Sequence, residues 1–116
     1  MNKSPIKRHK ALQNLSREHH DSLVFALRLQ KGVAKKADLR SMETYTDWFW
    51  DAHLKLHFKM EEEHLFPKYG LDKKLVKNAK QQHQDLASLF AIASKSYEDF
   101  KNIYTLLQQH IRLEER

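Results

Sequence analysis

Apolar residues recur along this chain at steps of three and four, the spacing of one face of an α-helix. Four such stretches predict four helices. The first runs roughly from Leu12 to Lys31 and stops near Gly32, with a stripe of Leu12, Leu15, His19, Leu23 and Ala26. The second runs roughly from Asp38 to Leu65 and ends at Pro67 and Gly70. Its stripe includes Met42, Tyr45, Phe49, His53, Leu56, His57 and Met60. The third begins near Asp72, a good N-cap residue, and continues through Val76, Ala79, His83, Leu86 and Phe90 to about Ala93. The fourth begins near Ser96, a second N-cap, with Phe100, Ile103, Leu107, His110 and Glu114 on its stripe. Short connections make neighbouring helices antiparallel, so the expected fold is all-α, an up-down-up-down four-helix bundle forming a single domain over residues 1–116. The segment before Leu12 reads as an extended lead-in.

Composition narrows the picture. Two Gly, two Pro and no β-branched runs disfavour strands. The absence of cysteine excludes disulfides, thiolate zinc sites and cysteine-held iron–sulfur clusters, so any metal must be held by His and carboxylate. No apolar run approaches the ~20 residues that span a bilayer, and the N-terminus lacks an apolar signal core, so a cytoplasmic protein is expected. The net charge of +6 comes from Lys and Arg scattered among acids rather than gathered in a block, which reads as a solvated surface and not a nucleic-acid footprint. Eight histidines in 116 residues change the picture more.

Two segments share one pattern. His57-Phe-Lys-Met-Glu61-Glu62 ends the second helix, and His110-Ile-Arg-Leu-Glu114-Glu115 ends the fourth. Four residues of separation put His and Glu on the same helix face, one turn apart. The first and third helices each bring one stripe histidine, His19 and His83. Folded antiparallel, this half-repeat gathers four His and two Glu in the bundle core. A carboxylate on a buried stripe is costly unless it is paired or binds a metal. One dinuclear site held by His19, His57, Glu61, His83, His110 and Glu114 explains both carboxylates, and imidazole with carboxylate suits iron.

The run His57-Phe-Lys-Met-Glu61-Glu62-Glu63-His64-Leu65-Phe66-Pro67 resembles the HHE hemerythrin signature, H-x3-E-E-x2-L-F-P, and Leu15-Ser-Arg-Glu-His19 resembles that family's first-helix L-x2-E-H pattern. His83 and His110-x3-Glu114 follow in the family's order, and the resemblance extends from about Leu12 to Glu115. It implies a non-haem centre of two iron ions, with an oxo or hydroxo bridge as an option, in which Glu61 and Glu114 bridge the metals. The family's oxygen carriers place two histidines one turn apart on the third helix, whereas here Ala79 and Ala87 flank His83 at that spacing. That leaves an iron position open to O2, nitric oxide or peroxide. It also points away from simple oxygen carriage. The second repeat is followed only by Glu115 and Arg116, without a Leu-Phe-Pro, so Glu114 is expected to be the least firmly held ligand.

Other residues read as follows. His19 lies at the centre of its stripe and is preferred to His20, although His20 has Leu23 and Leu27 at the offsets that Leu86 and Phe90 have from His83. His53 reads as a neighbour of the site rather than a ligand, His64 as a surface residue, and His9 as outside the core. Glu62, Glu63 and Glu115 read as solvated, and Trp48, Trp50, Phe58 and Phe66 as packing. The expected function is di-iron binding with sensing or binding of a small molecule such as O2 or nitric oxide, or iron handling. The alternatives are a di-iron oxidoreductase acting on peroxide or O2 and a metal-free helical interaction domain; sequence does not decide whether the chain is an enzyme. A ferritin-like plan needs two Glu-x2-His motifs, and only Glu61-x2-His64 exists. The zinc-protease signature His-Glu-x2-His is absent.

Overall fold

The computed structural model describes residues 10–67 and 72–114, with side chains from residue 17 onward. His9, Gly70, Glu115 and the side chains of Leu12 and Leu15 lie outside the described residues. The described residues form four helical rods and no strand. The first is α1 (Lys10–Lys35). The second is continuous but compound: α2 (Leu39–Phe49), a π-helical segment (Trp50–Leu54), α3 (Lys55–Met60) and a second π-helical segment (Glu61–Leu65). The third is α4 (Lys73–Phe90) and the fourth α5 (Tyr97–Glu114). α5 packs along both α1 and α4. No helix among the described residues is long and apolar enough to cross a membrane.

The helix starts follow the capping residues. Asp38 accepts from the Ser41 N–H at 2.9 Å, and Asp72 from the Leu75 N–H at 3.1 Å. Ser96 and Asp99 cap reciprocally: the Asp99 N–H donates to Ser96 Oγ at 3.1 Å and the Ser96 N–H to Asp99 Oδ2 at 2.8 Å. α4 ends at Phe90 and not at Ala93. α1 does not stop at Gly32. It continues to Lys35 and closes with a Schellman turn, in which the Ala37 N–H donates to the Gly32 carbonyl at 2.8 Å and the Lys36 N–H to the Val33 carbonyl at 3.1 Å. Gly32 serves packing: a Cβ there would meet Met42 Cε at 3.0 Å.

The left-handed residue of that turn is Lys36, at φ 53°. A side chain there costs about 1–2 kcal/mol, of which the extra chain entropy of glycine takes back about 0.5–1. Lys36→Gly is therefore expected to stabilise the protein by roughly 0.5–1 kcal/mol in denaturant unfolding; a loss of stability would show that the Lys36 side chain itself contributes to the fold.

The core joins the rods through stacked rings. Phe25 of α1 stacks on Phe49 at 4.1 Å, and Phe90 of α4 stacks on Trp50 at 5.0 Å. Leu29, Leu54, Leu86, Ile103 and Leu107 are buried around them. On α1 the buried face is His19, Ser22, Phe25, Ala26 and Leu29; Leu23, expected on the stripe, is 37% exposed. Phe25, two positions away, supplies the larger apolar surface to the core and turns Leu23 outward.

The second rod departs from its expected stripe for a specific reason. Met42, Thr46 and Phe49 are buried at steps of four and three, but the next buried residue is Leu54, five positions on. The Lys55 N–H reaches back to the Trp50 carbonyl, and the Phe66 N–H to the Glu61 carbonyl at 2.8 Å, so each π segment holds one residue more than an α turn. In an uninterrupted α-helix, His57 would point about 80° away from Phe49 and Glu61 about 120°. Discounting one extra residue brings both within about 20° of Phe49. The same shift leaves Leu56 60% exposed and Met60 only half-buried; Tyr45, which precedes the π segment, and His53, which lies in it, are half-buried too, where the periodicity placed all four on the stripe.

Candidate metal centre

Six side chains from the four rods converge at one level of the bundle. His19 comes from α1, His57 and Glu61 from the second rod, His83 from α4, and His110 and Glu114 from α5. The four histidines and Glu61 are each at most 4% exposed, and the Glu114 side chain is 6% exposed. They form two groups, His19, His57, Glu61 and Glu114, and Glu61, His83, His110 and Glu114. Within each group the ligand-type atoms all lie within 4.8 Å of one another. Glu61 and Glu114 belong to both.

His19 Nε2 lies 2.9 Å from Glu114 Oε1. His57 Nε2 lies 3.4 Å from Glu61 Oε2, and His83 Nε2 lies 3.0 Å from Glu61 Oε1 and 3.8 Å from Glu114 Oε2. His110 Nε2 is 3.2 Å from Glu114 Oε2. Most of these approaches lack the direction of a hydrogen bond. His57 Nε2, His83 Nε2, His110 Nε2, both Glu61 oxygens and Glu114 Oε2 are buried without a hydrogen-bond partner. Buried polar atoms are almost always satisfied, because each orphan costs about 1–3 kcal/mol. Six orphans facing one another, all imidazole nitrogen or carboxylate oxygen, fit a metal centre, since cations would satisfy them together.

The outward-facing ring atoms are held. His57 Nδ1 bonds to the Glu18 carboxylate. His83 Nδ1 lies 2.6 Å from Glu62 Oε2, and His110 Nδ1 donates to Gln82 Oε1 at 2.8 Å. Phe58 stacks on the His83 ring at 3.9 Å, and Phe66 lies 6.0 Å from it and nearly parallel. Packing is thus the role of both phenylalanines, whereas Trp48 is 52% exposed.

Electrostatics follow from this arrangement. Burial alone would push the His57 imidazole down, but the Glu18 and Glu61 carboxylates beside it override that and raise it to about 10. Burial likewise opposes the charged form of His83, yet Glu114, Glu61 and Glu62 lift it to about 9. For Glu114, burial favours the neutral acid, but His110, His19 and His83 hold its carboxyl far below the ordinary carboxylate range. Glu18 is lowered chiefly by its bond to His57.

All six residues picked from the pattern are therefore brought together. His20, with Leu23 and Leu27, faces solvent. His53 lies outside both groups and packs on Trp48 and Phe49 with ring centroids 5.1 Å from each. The His64 side chain is 71% exposed, as its position suggested. Glu62 is not simply solvated, because its carboxylate holds His83. Sequence reasoning gave Glu18 no role beyond its place in the Leu15-Ser-Arg-Glu-His19 pattern, and it missed Gln82. The available signal was position: each is the chain neighbour of a stripe histidine.

No curated protein and no solved structure matches the chain, whereas the family model described as Hemerythrin HHE cation binding domain matches residues 10–116. That match spans every helix contributing to the six-residue cluster, and cation binding agrees with a cluster of imidazoles and carboxylates. The chain belongs to the hemerythrin HHE cation-binding domain family.

Proposed function

We propose that this cation-binding domain holds two iron ions, one by His19 and His57 and the other by His83 and His110, with Glu61 and Glu114 shared between them. In this reading the four rods run up, down, up and down, and the centre binds or senses a small molecule such as O2 or nitric oxide, or handles iron. The observation that carries the reading is the membership of Glu61 and Glu114 in both four-residue groups. Shared carboxylates suit a pair of cations better than one, because each has two oxygens to offer.

Bound iron supplies Lewis acidity and one-electron redox chemistry to a small ligand. The chain supplies the surroundings. Glu61 and Glu114 bring two negative charges that offset cationic charge in a buried place. Phe58 and Phe66 shield His83 from water. Ala79, buried one turn before His83, contributes no ligand atom. Each group thus has four protein residues, fewer than the six donors of an octahedral ion, which leaves room for a small ligand.

Elemental analysis after anaerobic loading with ferrous iron and removal of the excess is expected to give two irons per chain. His57→Ala is expected to lose metal, and His53→Ala, which removes only a ring packed on Trp48 and Phe49, to retain it. A firm value of one or zero for the unaltered chain would exclude the dinuclear reading, and equal losses in the two variants would exclude this assignment of the second rod. Many turnovers of peroxide by the loaded protein would instead mark an oxidoreductase.

A further inference from the structure

Three residues hold the outward nitrogens of the site histidines, and their positions follow a rule. Glu18 precedes His19 on α1 but bonds to His57 on the second rod. Glu62 follows Glu61 on the second rod but bonds to His83 on α4. Gln82 precedes His83 on α4 but bonds to His110 on α5. Glu114 on α5 then reaches His19 on α1 at 2.9 Å. α1, the second rod and α4 therefore each contribute, besides their cavity residues, one side chain that steadies a cavity histidine of the next rod, and α5 returns to α1 through the cavity residue Glu114 itself.

Helix geometry explains the rule. Adjacent residues project about 100° apart, so the neighbour of an inward-facing residue points sideways toward the next helix. The offset alternates: minus one on α1, plus one on the second rod, minus one on α4. Offsets of alternating sign turn the same way around a bundle when successive helices point in opposite directions, in keeping with the proposed topology.

We propose that Glu18, Glu62 and Gln82 are positioning residues for the metal centre. Each accepts the Nδ1–H of a histidine on the next rod, which fixes the tautomer and ring so that Nε2 presents its lone pair to the cavity. The assignment rests on the metal-binding reading above, and it concerns residues outside the six-residue set. Gln82 shows that a neutral acceptor suffices at one of the three places, so hydrogen-bond geometry and not negative charge is the shared feature.

The test loads each protein anaerobically with ferrous iron and titrates it with a competing chelator. The variants are Glu18→Ala, Glu18→Gln, Glu62→Ala, Glu62→Gln and Gln82→Leu, with Glu63→Ala as control. Glu63 carries the same charge as Glu62 on a side chain 55% exposed and faces no site histidine. The Ala and Leu variants are expected to hold iron about 10–100-fold less tightly. Glu18→Gln and Glu62→Gln keep an acceptor oxygen at the same reach and are expected to stay within a few-fold of the unaltered chain, as is Glu63→Ala. Ala variants that hold iron as well as Glu63→Ala overturn the proposal, and so do Gln variants that fall as far as the Ala variants. Helix content and melting of the metal-free variants check the fold. If Glu18→Ala or Glu62→Ala does not fold, Gln82→Leu, which changes no charge, decides at His110. An unaltered chain that takes up no iron defeats the functional reading, whereas a two-iron chain indifferent to these substitutions defeats this inference alone.

Discussion

Glu61→Ala is expected to leave the chain unable to hold either ion, taking iron from two per chain to near zero after removal of the excess. Glu61 is 1% exposed, belongs to both groups of potential ligands, and has two buried oxygens without hydrogen-bond partners. Losing one histidine removes one ligand from one ion. If Glu61 is shared as proposed, losing it removes a ligand from each ion and one of the two negative charges offsetting them. Outer partners of metal-bound histidines typically contribute 10–100-fold in affinity, and this substitution is expected to exceed that for both ions. Glu61→Gln separates the contributions. It keeps the volume and one acceptor but replaces an anionic oxygen with an NH2 group, which cannot bind a cation. It should therefore resemble Glu61→Ala in chelator competition while filling the cavity. Two irons retained by Glu61→Ala would mean that Glu61 is not shared and that the ions lie elsewhere. In the metal-free protein, the same substitution takes a carboxylate from beside both His57 and His83, so both imidazoles should titrate closer to their ordinary range.

The six inner residues were legible because the helical period carries information wherever a helix is regular. His19, His83, His110 and Glu114 lie on regular α-helices, where steps of three and four place them on the inner face. Asp72 and Ser96 were legible because N-cap chemistry is local. His57 was placed on the stripe, and with Glu61 it was singled out by the repeat with His110 and Glu114, although a strict α-helical period counted from Phe49 turns both away from the core face. The extra residue of the Trp50–Leu54 segment restores that register, and no side chain in it announces a π turn. The misplaced stripe residues Leu56 and Met60 are the visible consequence. Gly32 misled for the opposite reason: it looked like a stop signal, but its missing side chain answers the approach of Met42, a contact distant in sequence. The part that Glu18, Glu62 and Gln82 play in holding histidines was not legible because a polar residue beside a stripe position is ordinarily a solvated one. Only the packing of the next rod gives it a partner.

Iron uptake is expected to release close to two protons per chain at about pH 8, from His57 and His83. In the metal-free protein these imidazoles titrate near 10 and 9, so both are protonated at neutral and mildly alkaline pH. An ion takes the Nε2 lone pair, and the proton on that atom must leave, while the Nδ1–H remains with Glu18 or Glu62. Apparent affinity for the pair of ions should then fall about 100-fold for each pH unit below about 9, one factor of ten per proton displaced. Histidines near their ordinary pKa of about 6.5 would give an affinity nearly flat above about pH 7.5. Stability of the metal-free fold should run the other way. A pKa raised by folding contributes stability that is complete below the unfolded value near 6.5 and is lost as pH rises through about 9 and 10. Glu114 and Glu18 are lowered, so their contribution is complete above the ordinary glutamate value of 4.5 and is lost as pH falls through their folded values. Metal-free protein should therefore be most stable from about pH 4.5 to 6.5 and weaken toward alkaline pH, whereas the stabilisation gained from iron should grow over that same alkaline range. Denaturant unfolding of the metal-free chain from about pH 5 to 10, with chelator competition and proton release measured on loading, checks both signs. Metal affinity independent of pH above about 7.5, with no protons released, would show that Glu18, Glu61 and Glu114 do not hold His57 and His83 in their charged forms.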